Sequence, residues 1–235
     1  MSTRKIKKQV LDLLAGPDLE TALSSLRKME PKDVINALFS AIYRPEEPLR
    51  WYGITAMGEM VARLADKDME EARIIMRRFL WSLNDESGGI GWGAPEAMAE
   101  VMSRHPGLAR EYIHMLISYM REDGEEIAQD GNYLEHETLQ RGLLWGIGRL
   151  AGTRPDMLLE RGADHDLVHY LESPDAAVRG LAARALGLLG RADLATDRLR
   201  ELARDPEPVR VYEDGRLRET TVAELARGAL EESPA

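Results

Sequence analysis

Carboxylate and imidazole side chains are concentrated in two connections near the middle of the chain, 84–96 and 123–137. Oxygen ligands with one imidazole suit a hard divalent cation. The alternative is that these acids lie in the first turns of helices, where they balance the helix dipole. The second interpretation is favoured, so we predict no metal ligand and no catalytic residue. The groups concerned are Asp85, Glu86, Glu96, Asp130, Glu135, His136 and Glu137.

The first connection also carries four glycines, at positions 88, 89, 91 and 93, around Trp92. Backbone N–H groups before a helix can bind an anion. However, the spacing is not that of a phosphate loop, and the acids of the same segment would repel phosphate. A sharp turn that lets Trp92 pack is the favoured interpretation, and no cofactor is expected.

Tryptophan and arginine form a third group of interest. Trp51 and Trp145 lie off the apolar faces of their predicted helices, and Trp145 shares a face with Arg141. Aromatic side chains beside arginine are typical of interface anchors. Packing between neighbouring helices explains the same pattern equally well, so both alternatives stay open. The predicted binding residues are Trp51, Trp92, Glu96, His136, Glu137, Arg141 and Trp145.

Composition limits the classes of function. The 235 residues include no cysteine, which excludes disulfides and thiolate chemistry. The formal net charge is −10 without a basic stripe, so we expect no nucleic-acid partner. No window resembles a membrane span or a signal peptide, so no membrane partner is expected and the cytoplasm is the default location.

The helices that would position these residues are predicted most clearly from the pattern of segment 174–190. Apolar residues from Val178 to Leu189 fall on one helical face. Ser173 is the expected N-cap, Pro174 the first helical residue and Gly190 the stop. The same pattern recurs near Leu49, Pro95, Leu139 and Val222, at intervals of roughly 40–45 residues, which is the period of HEAT and armadillo repeats.

The chain therefore reads as a single α-solenoid over 1–235, with a capping helix pair in 1–30 and about five helix pairs in 31–235. The first helix of the fourth pair, 156–171, is expected to break near Gly162. Near the C-terminus, alternating residues around Asp214-Gly215 predict a hairpin with a type I′ turn. Thr221 and Glu224 then form a capping box for the last helix.

The Asp, Val-Arg and Ala-Leu-Gly pattern of 174–190 resembles a HEAT repeat, of the phycobilisome-lyase type. Segments 84–96, 134–151 and 212–226 extend the resemblance over most of the chain to a family of uncharacterised HEAT-repeat proteins from sulfate-reducing bacteria. The resemblance implies an all-α, right-handed HEAT or armadillo solenoid with a binding surface, and it implies no reaction.

Two functions follow. The first is a non-enzymatic interaction scaffold or assembly factor that binds a protein partner on the concave face of the repeats. The alternative is a metal-dependent or cofactor-handling enzyme that uses the edge around Glu96 and His136. Because the two long connections occupy equivalent turns of consecutive repeats, we expect any site to lie where the second and third repeats meet.

Overall fold

The computed structural model describes residues 2–84, 91–124 and 131–231, and within these ranges it contains thirteen α-helices and one two-stranded sheet. No helix in these ranges has both the length and the apolar character needed to cross a membrane. The elements are α1 Thr3–Leu14, α2 Leu19–Leu26, α3 Pro31–Ile42, α4 Glu47–Lys67, α5 Met69–Leu83, α6 Ala94–Arg104, α7 Pro106–Ser118, α8 Glu137–Ala151, α9 Pro155–Leu159, α10 Ala163–Tyr170, α11 Ala176–Leu188, α12 Thr196–Leu202, β1 Pro208–Glu213, β2 Arg216–Thr221 and α13 Val222–Glu231.

The chain divides into two compact units. Unit 1 comprises Met1–Ala109 and Tyr212–Arg216, and unit 2 comprises Arg110–Val211 and Leu217–Ala235. The expectation of a single solenoid body over 1–235 stays a prediction.

Unit 1 is built around α4, which packs against α3, α5 and α6. The expected apolar face of α4 is buried at Gly53, Ala56, Met57 and Met60. Glycine permits the closest approach to a neighbour, because a Cβ at Gly53 would lie 2.8 Å from the Cβ of Ala41 on α3. Ile54, Val61 and Leu64 are buried as well, so the central helix is covered beyond the single face that the periodicity predicts.

Unit 2 is built around α11, which packs against α8, α10 and α13. Its predicted start is wrong by two residues. The N-cap is Asp175, whose Oδ1 accepts from Val178 N at 3.0 Å, whereas Ser173, two residues earlier, accepts through its Oγ from Asp175 N. Pro174 therefore precedes the helix. Serine and aspartate are comparable caps, and Asp175 has the additional contact with Arg141 on α8.

The end of α11 follows the expectation at Gly190. Its φ is +66°, and the amides of Gly190 and Arg191 donate to the carbonyls of Gly187 and Leu186. This pair of bonds is a Schellman motif, which needs a residue in the left-handed region. Glycine adopts that conformation without a Cβ penalty.

The first helices of the third and fourth pairs are short. Helix α7 ends at Ser118, because Asn132 N and Leu134 N return to donate to the carbonyls of Ser118 and Tyr119. The helix expected over 156–171 is broken as predicted: α9 and α10 are separated at Gly162, whose φ is +70°.

The hairpin of β1 and β2 has the predicted turn. Asp214 and Gly215 have φ of +49° and +77°, as a type I′ turn requires. The capping box is also present, with Glu224 N donating to Thr221 Oγ1 at 3.2 Å and Thr221 N donating to Glu224 Oε2 at 3.3 Å. These reciprocal bonds set the start of α13.

Candidate functional site

The seven predicted binding residues fall into both units. Trp51, Trp92 and Glu96 belong to unit 1. The other four lie on or next to α8 in unit 2, and they are His136, Glu137, Arg141 and Trp145. Asp85, Glu86, Asp130 and the glycines at 88 and 89 lie outside the described residues. The expected convergence of the two connections therefore stays a prediction.

Trp51 is 6% exposed and is covered by a residue of the hairpin. The rings of Trp51 and Tyr212 are stacked, with centroids 4.7 Å apart and planes inclined by 10°. Tyr212 Oη lies 3.0 Å from Thr55 Oγ1, and Thr55 Oγ1 donates to Trp51 O at 3.1 Å. Because the threonine proton is used by Trp51 O, Tyr212 is the donor in the first bond. Trp51 is thus part of the core of unit 1.

Glu96 is a buried carboxylate in the first turn of α6, with 3% of its surface exposed. Its ion pair is with Arg50, at 3.4 Å between Arg50 Nη1 and Glu96 Oε1. Burial raises the pKa of Glu96, and the positive charge of Arg50 opposes that rise only in part. Arg50 also places its guanidinium carbon 4.9 Å from the centre of the Trp51 ring. The pair joins two successive second helices, α4 and α6.

Trp92 is half-buried, next to Gly93 at the start of α6. Gly93 has φ of +76°, and a Cβ there would lie 2.7 Å from Ile42 O. Gly93 is therefore required by its backbone conformation and by the close approach of α3. This supports the interpretation of a sharp turn at the end of the glycine-rich segment.

Arg141 makes an ion pair that repeats in the following pair of helices. Its guanidinium binds both oxygens of Asp175, the N-cap of α11, with Nε donating at 3.0 Å. Arg179 on α11 likewise binds Asp205, at 2.7 Å. Burial works against ionisation of Asp175, but the Arg141 and Val178 bonds outweigh it and lower the pKa of this carboxyl. Arg141 thus holds together α8 and α11, which are the second helices of successive helix pairs.

The remaining predicted residues of α8 divide between surface and core. His136 is the exposed N-cap, and its Nδ1 accepts from Thr138 N at 3.2 Å. Glu137 follows it in the first turn and is exposed. Trp145 is 6% exposed. The part of the chain that is described contains no group of three His, Asp or Glu side chains able to hold a metal ion.

A cleft of about 260 Å³ opens beside the first turn of α8. Its walls come from the segment before α8, from α8 itself, and from the end of α10 with the turn that follows. The lining residues are Tyr133, Glu135, Glu137, Gln140, His169, Tyr170, Glu172, Ser173 and Pro174. All of them belong to unit 2.

Aromatic rings contribute to the lining of this cleft. Tyr133 and Tyr170 have ring centroids 6.3 Å apart with planes inclined by 25°, and His169 meets Tyr170 edge-on at 5.9 Å. Tyr170 is 2% exposed and its Oη donates to Met120 O at 3.2 Å. Burial, followed by the neighbouring Tyr133, raises the pKa of Tyr170, so this phenol stays neutral.

Gln140 fixes the junction between α8 and the preceding segment. Its Nε2 donates to Leu134 O at 2.8 Å and to Tyr133 Oη at 3.1 Å. Because a backbone carbonyl can only accept, the amide nitrogen must face Leu134, and the amide orientation is set. Both N–H groups are then used. In the described ranges no donor reaches Gln140 Oε1, which leaves an open acceptor in the wall of the cleft although Gln140 is only 7% exposed.

Sequence reasoning found Glu135 and Glu137 but not the aromatic wall. Tyr170 and His169 come from α10, and Tyr133 and Gln140 frame the entry to α8. The one sequence signal was the cluster of polar and aromatic residues in 133–140, which departs from the generic repeat pattern.

No family model matches the chain. An uncharacterised protein of Archaeoglobus fulgidus is 26% identical over 210 residues, which cover 86% of this chain and 96% of that protein.

Solved structures resemble the chain over nearly its whole length. An engineered protein has a TM-score of 0.54 at 18% identity and covers 97% of each chain. A designed armadillo repeat protein has a TM-score of 0.52 at 17% identity, over 96% of this chain and 99% of its own. Another, in complex with the peptide (KR)4, has a TM-score of 0.51 at 18% identity, over 96% and 98%. The predicted fold, a helical repeat solenoid of the armadillo type with a small hairpin near the C-terminus, is confirmed.

Proposed function

We propose that this chain is a non-enzymatic interaction module that binds an extended segment of a partner protein. The observation that carries the proposal is the cleft beside α8, because it combines aromatic rings, a buried amide with an open acceptor and exposed carboxylates. A few polar groups among aromatic walls are the usual composition of a recognition site.

The size of the cleft favours a side chain of a polypeptide over a whole cofactor. Pockets that bury small-molecule ligands generally measure about 300–1,000 Å³, and this cleft is smaller, at about 260 Å³. Repeat folds of this kind present extended binding surfaces. One of the similar designed armadillo proteins is in complex with a peptide, which supports the same mode of recognition here.

Two finer assignments belong to the same proposal. The Asp, Val-Arg and Ala-Leu-Gly pattern around α11 supports repeats of the phycobilisome-lyase HEAT type. The absence of cysteine from the sequence is compatible with a reducing compartment, and we propose the cytoplasm.

The test is selection from a random peptide library displayed on phage, with the full chain as bait. Selected peptides are then cross-linked to a photoreactive residue placed at Glu137. We expect recovery of peptides that cross-link to this position and are competed by the unlabelled peptide. A matched photoreactive residue at Glu160, an exposed site outside the cleft lining in the same unit, should not cross-link. Failure to recover any binding peptide would contradict the proposal.

A further inference from the structure

We infer that the cleft beside α8 is a subsite for a positively charged side chain, and for arginine in preference to lysine, within the bound segment. This inference rests on the proposed function and names the chemistry of its ligand. It depends on three observations: the charge of the lining, the open acceptor of Gln140, and the stacked tyrosines.

The lining is acidic. Glu135, Glu137 and Glu172 contribute carboxylates, and none of the described lining residues is Lys or Arg. Glu135 and Glu137 make no ion pair with any residue in the described ranges. Glu172 is paired with Arg198 at 3.0 Å, so its charge is partly compensated. Two exposed carboxylates of the lining therefore remain available to a cation.

Three basic groups near the cleft must be weighed against this charge. Arg141 lies near enough to Glu137 to feel its charge, but its guanidinium binds both oxygens of Asp175. Arg198 is held by Glu172 and Glu201. His169 stands edge-on to Tyr170 and is exposed. Both arginines are thus engaged by other carboxylates.

Gln140 adds a directional acceptor. Its nitrogen is committed to Leu134 and Tyr133, which leaves Oε1 to accept from a ligand N–H. This oxygen is accessible to solvent and therefore to a ligand. A guanidinium carries five N–H donors in one plane, enough to reach this oxygen and a carboxylate together.

The tyrosines favour arginine over lysine. A guanidinium stacks on an aromatic face within about 6 Å of the ring centre, and its planar fork binds a carboxylate with two bonds. Tyr133, which lines the cleft and is half-buried, supplies such a face, whereas Tyr170 behind it is only 2% exposed. An ammonium group would keep the charge attraction but lose the stacking and the bidentate geometry.

The experiment measures binding of fluorescein-labelled peptides to the full chain by anisotropy. The probe is Gly-Ser-Gly-Ser-Arg-Ser-Gly-Ser, compared with the same peptide carrying lysine, citrulline or glutamate at the arginine position. Citrulline keeps the shape of arginine without its charge. We expect the arginine peptide to bind about tenfold more tightly than the citrulline peptide. Lysine should be intermediate, and added salt should weaken binding.

Variants of the lining residues test whether the preference for arginine arises at the cleft. Glu135→Gln with Glu137→Gln should weaken the arginine peptide about tenfold and leave the citrulline peptide unchanged. The matched control, Glu160→Gln with Glu219→Gln, removes the same charge from exposed positions of unit 2 that do not line the cleft and should change affinity less than about twofold. Melting curves check that each variant is folded.

The outcomes separate this inference from the proposed function. If phage selection yields peptides that cross-link at position 137 but the citrulline or glutamate peptide binds as well as the arginine peptide, the module stands and the cationic subsite is wrong. An equal loss of affinity in the matched control would likewise overturn the subsite. The overall negative charge of the protein would then explain the preference for arginine. If free arginine binds more tightly than the arginine peptide, the ligand is the amino acid and the inference fails. If no peptide binds, both proposals fail.

Discussion

Tyr212 lies flat against Trp51, with ring centroids 4.7 Å apart, and donates a hydrogen bond to Thr55 on the same helix. The contact joins Tyr212 to the central helix within unit 1. It combines the burial of two large rings with one polar bond, and substitution can separate the two contributions.

Tyr212→Ala should reduce the free energy of unfolding by about 3–5 kcal/mol, because it removes a buried aromatic side chain and uncovers Trp51. Tyr212→Phe should cost only about 1 kcal/mol, since Thr55 keeps its bond to Trp51 O. Denaturant titration followed by tryptophan fluorescence measures both. Equal losses in the two variants would mean that the hydroxyl, and not the stacking, holds the contact.

Removing Arg50 should be more damaging than removing the charge of Glu96. Arg50→Met leaves a buried carboxylate without its counter-ion and should cost about 3 kcal/mol at neutral pH. Glu96→Gln leaves a cation that is 15% exposed and already lies over Trp51. We expect the smaller loss there, or a gain. The control is Arg50→Met with Glu96→Gln, which should recover part of the stability lost in Arg50→Met.

The pH dependence of this pair has a definite sign. Because burial raises the pKa of Glu96 in the folded state, the folded chain holds a proton that the unfolded chain releases. The contribution of Glu96 to stability therefore falls as pH rises from the ordinary glutamate pKa through the raised folded pKa. The deficit of Arg50→Met should shrink at pH values below the ordinary glutamate pKa. A deficit that is constant from pH 4 to 8 would contradict a raised pKa.

Two glycines with positive φ allow the backbone and steric costs of a side chain to be compared. Gly162→Ala should cost about 1–2 kcal/mol, because a Cβ there meets nothing within 4 Å and only the conformation is strained. Gly93→Ala should cost distinctly more, since its Cβ would also lie 2.7 Å from Ile42 O. Equal midpoint shifts in denaturant would show that α3 can move aside.

Asp175 serves as both a helix cap and an ion-pair partner. Its substitution should therefore reduce the free energy of unfolding more than substitution of Arg141 does. Asp175→Ala removes the acceptor for Val178 N as well as the pair and should cost about 2 kcal/mol. Arg141→Met should cost about 1 kcal/mol or less, because Arg141 is half-exposed. Since the pKa of Asp175 is lowered on folding, its contribution is lost as pH falls through that folded value. A larger loss for Arg141→Met would contradict this ranking.

The repeat pattern was readable because it depends on local periodicity. Val178 and its apolar neighbours fall on the buried face of α11, and the broken helix at Gly162 and the turn at Asp214-Gly215 follow from glycine placement. The cap of α11 was misassigned because Ser173 and Asp175 are both good caps, and only tertiary contacts decide between them. Asp175 has such a contact in Arg141.

The covering of Trp51 and the aromatic wall of the cleft could not be read in this way. Trp51 lies off the helical stripe predicted for its segment, and the residue that buries it comes from a distant hairpin. Likewise Tyr133 and Tyr170 belong to different elements, and no local rule pairs them. Such contacts depend on the packing of elements, which periodicity does not encode.

The hairpin contact with Thr55 has a consequence for the order of events during synthesis. Tyr212 follows Thr55 by 157 residues, which at about 5–20 residues per second is a delay of roughly 8–30 s on the ribosome. Unit 1 includes Tyr212–Arg216, so it cannot be completed when its own helices emerge. During that interval the nascent chain exposes the face of Trp51. This face is then a binding surface for a ribosome-associated chaperone.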